Sequence, residues 1–307
     1  MWESAATRNS YSGGKDSLVC QYDVETGKTV HKWKGDKAGK TGHKGHVLSL
    51  AVTEDGKFVA SGGEDNLINI WDVRTKAPID SLRGHRDSVV SLAFQMGTHK
   101  LYSASKDRTI KLWNVDEMGY METLYGHALP ISALDVLRRE RAVSVGEDRT
   151  LRVWKIAEES QLILRGHGGS IDCLCMLDEQ QFFSGSQDGS LCLWSIMKKK
   201  PACTLPSAHG DANPWVSSVA ACRFTDLLAS GSSDGQVRFW KAKNNKLLPR
   251  GSVSVPGVVN ALAFGTSGKV LVAGVGQEHR LGRWEHHTEG KNGVRIVSLP
   301  QKDRSSK

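Results

Sequence analysis

Several features are missing from this sequence, and each absence removes a class of function. No apolar run reaches the roughly 18 residues that a bilayer-spanning helix needs, so no membrane association is expected. There is no glycine-rich phosphate loop, no cluster at metal-ligand spacing and no unrepeated nucleophile beside a base. Enzymatic activity, a cofactor, a metal and a small-molecule substrate are therefore not expected. The six cysteines include no C-x-x-C pair, which argues against a zinc or redox motif. Cys173 and Cys175, two apart, share one face of a strand and read as small apolar filling in a reducing compartment.

What remains is a globular composition with a positive bias. Of 307 residues, 39% are hydrophobic and 24% charged, as in ordinary folded domains. The net charge of +8 and pI of about 9.2 favour acidic partners, nucleic acid first among them.

The dominant signal is an internal repeat. Trp71, Trp113, Trp154, Trp194, Trp240 and Trp284 recur 40 to 46 residues apart, with Tyr22 as a seventh aromatic. Six residues before each stands an acid: Asp16, Asp65, Asp107, Asp148, Asp188, Asp234 and Glu278. Four before the aspartates lie Ser12, Ser61, Ser103, Ser144, Ser184 and Ser230. His43, His85, His127 and His167 each follow a glycine and precede their aspartates by 21 or 22 residues; His209 precedes Asp234 by 25. Between these markers run short alternating stretches such as VVSLAF, KLYSAS and TIKLW, bounded by turn residues. A lone four-stranded unit cannot bury both faces, whereas units packed radially can.

These residues resemble the WD-repeat family over nearly the whole chain. The resemblance implies an all-β, seven-bladed propeller, with the His, Ser, Asp and Trp of blades 2 to 6 forming structural tetrads. A His–Asp–Ser set that recurs around a ring serves a repeated fold; catalysis needs it once. One WD domain is expected over 4–300, with tails at 1–3 and 301–307. Only 15 residues precede Asp16, so blade 1 is expected to lack its inner strand, as if the chain were truncated at its N-terminus.

Copies one and seven deviate. The slot before the aromatic reads Gln21, Ile70, Leu112, Val153, Leu193, Phe239 and Arg283. An interblade slot should be apolar, and an unpaired charge there is costly. Arg283 is therefore expected to pair with Glu278 or Gln21 at the seam between blades 7 and 1. Copy seven also has Val255 in the histidine's place and Gly274 in the serine's.

The stretches AGVGQEHRLGRW, GHRDSVVSLAFQMGTHKLYSASKDRTIKLWNV and EESQLILRGHGGSIDCL are similar to the U3 small nucleolar RNA-interacting branch of that family. That resemblance implies a nucleolar, noncatalytic scaffold of the U3 particle within the small-subunit processome, acting in pre-ribosomal RNA processing. The implied partners are U3 snoRNA, the core protein at its B/C motif and other processome proteins. On the propeller's Asp-turn face, Lys15, Lys106, Arg108, Arg149, His279 and Arg280 are expected to form an RNA-binding arc. Lys34, Lys37, Lys40, Lys44 and Arg86 join it from the loops entering the inner strands, with Trp215 (and His46) as candidate stacking platforms. The corresponding turns of blades 5 and 6 offer only Gln187, Gly189, Ser233 and Gly235. The opposite face carries Arg138, Arg139 and Arg141, and Lys198 to Lys200. The alternative is a substrate receptor of a cullin-type ubiquitin ligase, from the W-D-x-R pattern at Trp71 to Arg74.

Overall fold

Alternating runs put every second side chain on one face of a strand, and the turns between them bring successive runs together as antiparallel neighbours. The structure, a computed structural model, describes residues 2–3, 9–35, 41–210, 215–265, 268–280 and 290–299. It contains seven antiparallel sheets, six of four strands and one of three among the described residues. Inner strands touch in chain order, and that of blade 1 meets those of blades 2 and 7, so the sheets close into a ring. The inner strands line a channel of about 1130 Å³.

Blade 2 shows the unit: inner strand Val47–Val52, second Phe58–Gly63, third Ile68–Asp72, outer Ala77–Leu82. The chain enters the inner strand, and turns from second to third strand, on what we call the upper face. It turns from inner to second and from third to outer on the lower face. Six clusters of buried side chains join consecutive blades from 1 to 7. In blades 2 to 6 the tryptophan of the third strand faces the preceding blade and the residue before it faces the following one. Thus Trp71 packs with Tyr11 and Val19 of blade 1, and Ile70 with Val89 and Leu92 of blade 3. No such cluster joins blades 7 and 1 among the described residues. Cys173 and Cys175 are buried in this packing, and burial pushes both thiols well above their ordinary range.

Two expectations need correction. The inner position of blade 1 is not empty: Trp2–Glu3 pairs antiparallel with Asn9–Gly13, Trp2 opposite Tyr11. Two residues suffice because a ladder needs only local pairing, so residues 2 and 3 are strand and not tail. In blade 7 the third strand is Gly293–Ser298, not the stretch ending at Trp284. Val297 stands opposite Leu271 there, as Trp71 stands opposite Val59 in blade 2, and Ala273 takes the register of Ser61. The β-branched run VRIV makes the ladder; equal spacing of an acid and a tryptophan did not measure register. Arg283 and Trp284 lie outside the described residues. Gln21, by the rule above, sits on the side of blade 1 that faces blade 2, not on the seam.

Each tetrad is one hydrogen-bonded chain. In blade 3, Trp113 Nε1 donates to Ser103 Oγ (2.8 Å), which lies 2.7 Å from His85 Nε2, while His85 Nδ1 is 2.9 Å from Asp107. The same links join Trp71, Ser61, His43 and Asp65; Trp154, Ser144, His127 and Asp148; and Trp240, Ser230, His209 and Asp234. Burial works against the ionised carboxyls of Asp65, Asp107 and Asp148. Hydrogen bonds from histidine and backbone outweigh it and hold them below the usual carboxylate range.

Blade 5 departs from this pattern. Trp194 and His167 meet at Ser184, but His167 Nδ1 faces the Ser190 hydroxyl (2.6 Å), and that hydroxyl in turn donates to Asp188. With the carboxylate one group removed, burial wins and pushes His167 down to about 4. A buried neutral histidine binds its proton more weakly than the unfolded chain does. Its contribution is therefore complete above the unfolded pKa near 6.5 and is lost progressively as pH falls towards 4, about 3 kcal/mol in all. The aspartates act only below that window. Thermal unfolding between pH 7.5 and 4.5 should show a clearly flatter stability profile for His167→Asn than for the unmodified chain. Parallel profiles would exclude this origin.

Candidate nucleic-acid interface

The tetrads anchor the loops of the upper face. In blades 2, 3 and 4 the aspartate that holds the histidine also accepts the backbone N–H of the residue after that histidine: Lys44 on Asp65 (2.9 Å), Arg86 on Asp107 (3.0 Å), Ala128 on Asp148 (3.0 Å). The Lys44 and Arg86 backbones are thereby fixed and their side chains exposed. In the turn from second to third strand, the residue after the aspartate is left-handed in six blades. It is Ser17, Asn66, Arg108 (φ 69°), Arg149 (φ 58°), Gly189 and Gly235. Glycine enters this region freely, whereas a branched or long side chain does so at a cost. Blades 3 and 4 thus hold an exposed arginine where blades 5 and 6 hold glycine.

The expected arc is only partly assembled. Lys34, Lys44, Arg86, Arg108 and Arg149 are exposed on or beside the upper face of blades 1 to 4, and Lys106 is half-buried. Exposed acids, Glu64, Asp87 and Glu147, stand between them. Glu64 also meets His46 at 3.2 Å, which occupies that candidate platform. Lys37 and Lys40 lie outside the described residues. Lys15 is committed to the seam: its Nζ is 2.7 Å from Glu278 Oε2, so Glu278 bridges blades 7 and 1 through Lys15.

His279 is buried, and Trp215 and Arg280 are half-buried. After Glu278 the chain turns inward, clamped by Asn260, whose amide donates to the Glu278 carbonyl (2.8 Å) and accepts the Arg280 N–H (2.8 Å). His279 is buried and stacks on Trp215, ring centroids 4.0 Å apart. The Trp215 indole donates to Asp172 of blade 5 at 2.6 Å. Arg280 reaches across the upper end of the channel to the carbonyl of Ser132 in blade 4, at 3.3 Å. Burial raises the Asp172 carboxyl, opposed by hydrogen bonds from Ser170 and Trp215 and by the charge of Arg280. These three residues therefore pin blade 7 to blades 4, 5 and 6, where a cation on one turn and an aromatic on another had suggested RNA contacts. Asp172 and Asn260 went unnoticed in sequence. The signal for Asp172 was an acid inside the buried run IDCLCM.

Five segments match the model of the family described as WD domain, G-beta repeat: residues 36–72, 76–114, 119–155, 158–195 and 199–241. The chain belongs to the WD-repeat family. It is 39% identical to the Arabidopsis thaliana "U3 snoRNP-associated protein-like EMB2271", covering 94% of this chain and 66% of that relative. It is 45% identical to the Homo sapiens "U3 small nucleolar RNA-interacting protein 2", covering 94% of this chain and 64% of that protein. The chain thus spans about two thirds of the length of the curated relatives it matches. The solved "Structure of U3-55K" superposes with a TM-score of 0.92 at 44% identity, over 95% of this chain and 92% of that one.

If Trp215 serves the pin, Trp215→Phe should keep the stack on His279 but leave Asp172 short of a donor. It should then destabilise by about 1–3 kcal/mol, read as a lowered melting temperature. An unchanged melting temperature would remove the pin from the account of ring closure.

Proposed function

We propose that the chain is a noncatalytic scaffold of the U3 small nucleolar ribonucleoprotein that holds U3 snoRNA on its upper face. Its place of action is the nucleolus, in pre-ribosomal RNA processing towards the small subunit, beside the core protein at the B/C motif and other processome proteins. The names of its relatives support this reading, as does the propeller, whose repeated polar sets are spent on structure. The ligase-receptor alternative gains nothing from those similarities, and Trp71 of its motif is committed to a tetrad.

One observation carries the RNA surface: Arg108 and Arg149 are held exposed in left-handed turns that blades 5 and 6 build with glycine. Strain retained for an exposed cation points to a use outside the fold. With Lys44 and Arg86 beside them, these arginines form the remaining arc over blades 2 to 4. Each phosphate contact releases counterions, so affinity should fall with salt.

The double variant Arg108→Gly/Arg149→Gly tests this without disturbing the turns. Relief of backbone strain offsets the added freedom of the unfolded chain, so stability should stay within about 1 kcal/mol. Binding to U3 snoRNA, titrated over sodium chloride, should weaken and lose about 0.7–0.9 of log–log slope per contact removed. An unaltered slope would move the RNA surface elsewhere.

A further inference from the structure

On the lower face of blade 6, Cys222, Arg223, Phe224 and Thr225 form a tight turn closed by Thr225 N–H to Cys222 O at 3.1 Å. Blade 3 makes the same turn with Gln95 to Thr98, closed at 3.2 Å, and its third residue is Gly97 at φ 76°. Blade 6 places Phe224 there, at φ 59°. A bulky side chain in the left-handed region is an outlier held at a cost in backbone strain. Burying the ring would offset that cost, yet Phe224 is 55% exposed.

The ring is held in place all the same. Phe224 N–H donates to Leu177 O of blade 5 at 2.9 Å, and the Arg138 guanidinium of blade 4 lies 5.8 Å from the ring centroid. Arg223, next in the turn, is tied to Asp135 at 2.9 Å. Phe224 and Arg138 line the lower mouth of the channel together with Met96 and Phe264. Arg138 and Arg139 are exposed, and among the described residues neither they nor Arg141 has a carboxylate at ion-pair distance. Glu179 approaches this loop, but it accepts the backbone N–H groups of Arg138 and Arg139.

We propose that this lower mouth docks an acidic segment of a protein partner, which packs an apolar side chain on Phe224 and sets carboxylates on Arg138 and Arg139. The cations gather in one loop beside a concave mouth lined by Met96, Phe224 and Phe264 as well as Thr53, Glu54 and Arg223, whereas a nucleic-acid strand needs cations spaced along a track. One side of the ring is already covered by Arg138, which leaves a platform for a single side chain. Guanidinium and carboxylate pair in bidentate geometry, and an aromatic at the centre of such a patch concentrates binding energy. The site is independent of the RNA surface on the upper face.

The test uses the full chain and fluorescence anisotropy with three probes. These are a decapeptide of aspartate and glutamate around a central Leu-Phe pair, the same peptide without that pair, and a uridine decanucleotide. The Leu-Phe peptide should bind best. Phe224→Gly should weaken it about tenfold or more while leaving the melting temperature equal or higher, because glycine suits the turn. Arg138→Ala/Arg139→Ala should weaken both peptides and flatten their salt dependence. Phe224→Asn, which tolerates the left-handed region, should repeat the loss if glycine loosens the turn. Unchanged peptide affinity in the Phe224 variants would overturn the proposal. So would binding of the decanucleotide, and not the peptide, that depends on Phe224; the site would then be a nucleic-acid one.

Discussion

A serine hydroxyl shared between an indole and an imidazole is the constraint on which this ring depends. In blade 3 the Ser103 oxygen accepts from Trp113 and faces His85, and the chain of contacts ends on Asp107. Every member is deeply set, so each link matters: a buried donor without an acceptor costs more than the bond it would have made. The indole lies against the preceding blade, and the aspartate grips the loop that enters its own. Interblade packing and upper-face geometry are thus coupled through one oxygen atom. The cations of that face inherit their positions from it, because the same aspartates hold the backbone at Lys44 and Arg86.

Among the described residues blades 1 and 7 show no such chain, and their junction is built differently. Among the described residues it has the partly exposed Lys15–Glu278 pair and contact between the inner strands, but no apolar cluster. An exposed ion pair contributes little. The larger restraint comes from inside, where the segment after Glu278 carries His279 onto Trp215 and Arg280 across to Ser132. A ring weak at one joint is held by a strut across its bore.

That division explains what could be read in the sequence. The five tetrads were legible because identical residue types recur at constant offsets, and a repeated offset reflects a repeated geometry. The offset at Trp284 did not locate the third strand of blade 7, which is Gly293–Ser298. Linear spacing also carries no information on whether a side chain points outward or into a channel. Spacing placed His279, Arg280 and Trp215 on the basic face, and it could not show that His279 is buried on Trp215 or that Arg280 reaches Ser132. The inner strand of blade 1 was missed because two residues are too few to show alternation.

Backbone conformation supplies a signal that composition cannot. Arginine is common and an exposed phenylalanine is unremarkable, until φ shows that Arg108, Arg149 and Phe224 occupy turn positions that other blades of this chain give to glycine. The repeat itself is the control, since the same turn is built elsewhere without strain. Two of these positions project charge from the upper face and the third projects an aromatic ring from the lower one. Arg280 crosses the bore between the two faces at its upper end, so contacts made on either side are separated by the body of the ring. On the two proposals, the ring offers guanidinium groups to RNA on one face and a phenyl ring flanked by arginines to an acidic protein segment on the other. Holding two such partners at a set distance is what a scaffold supplies.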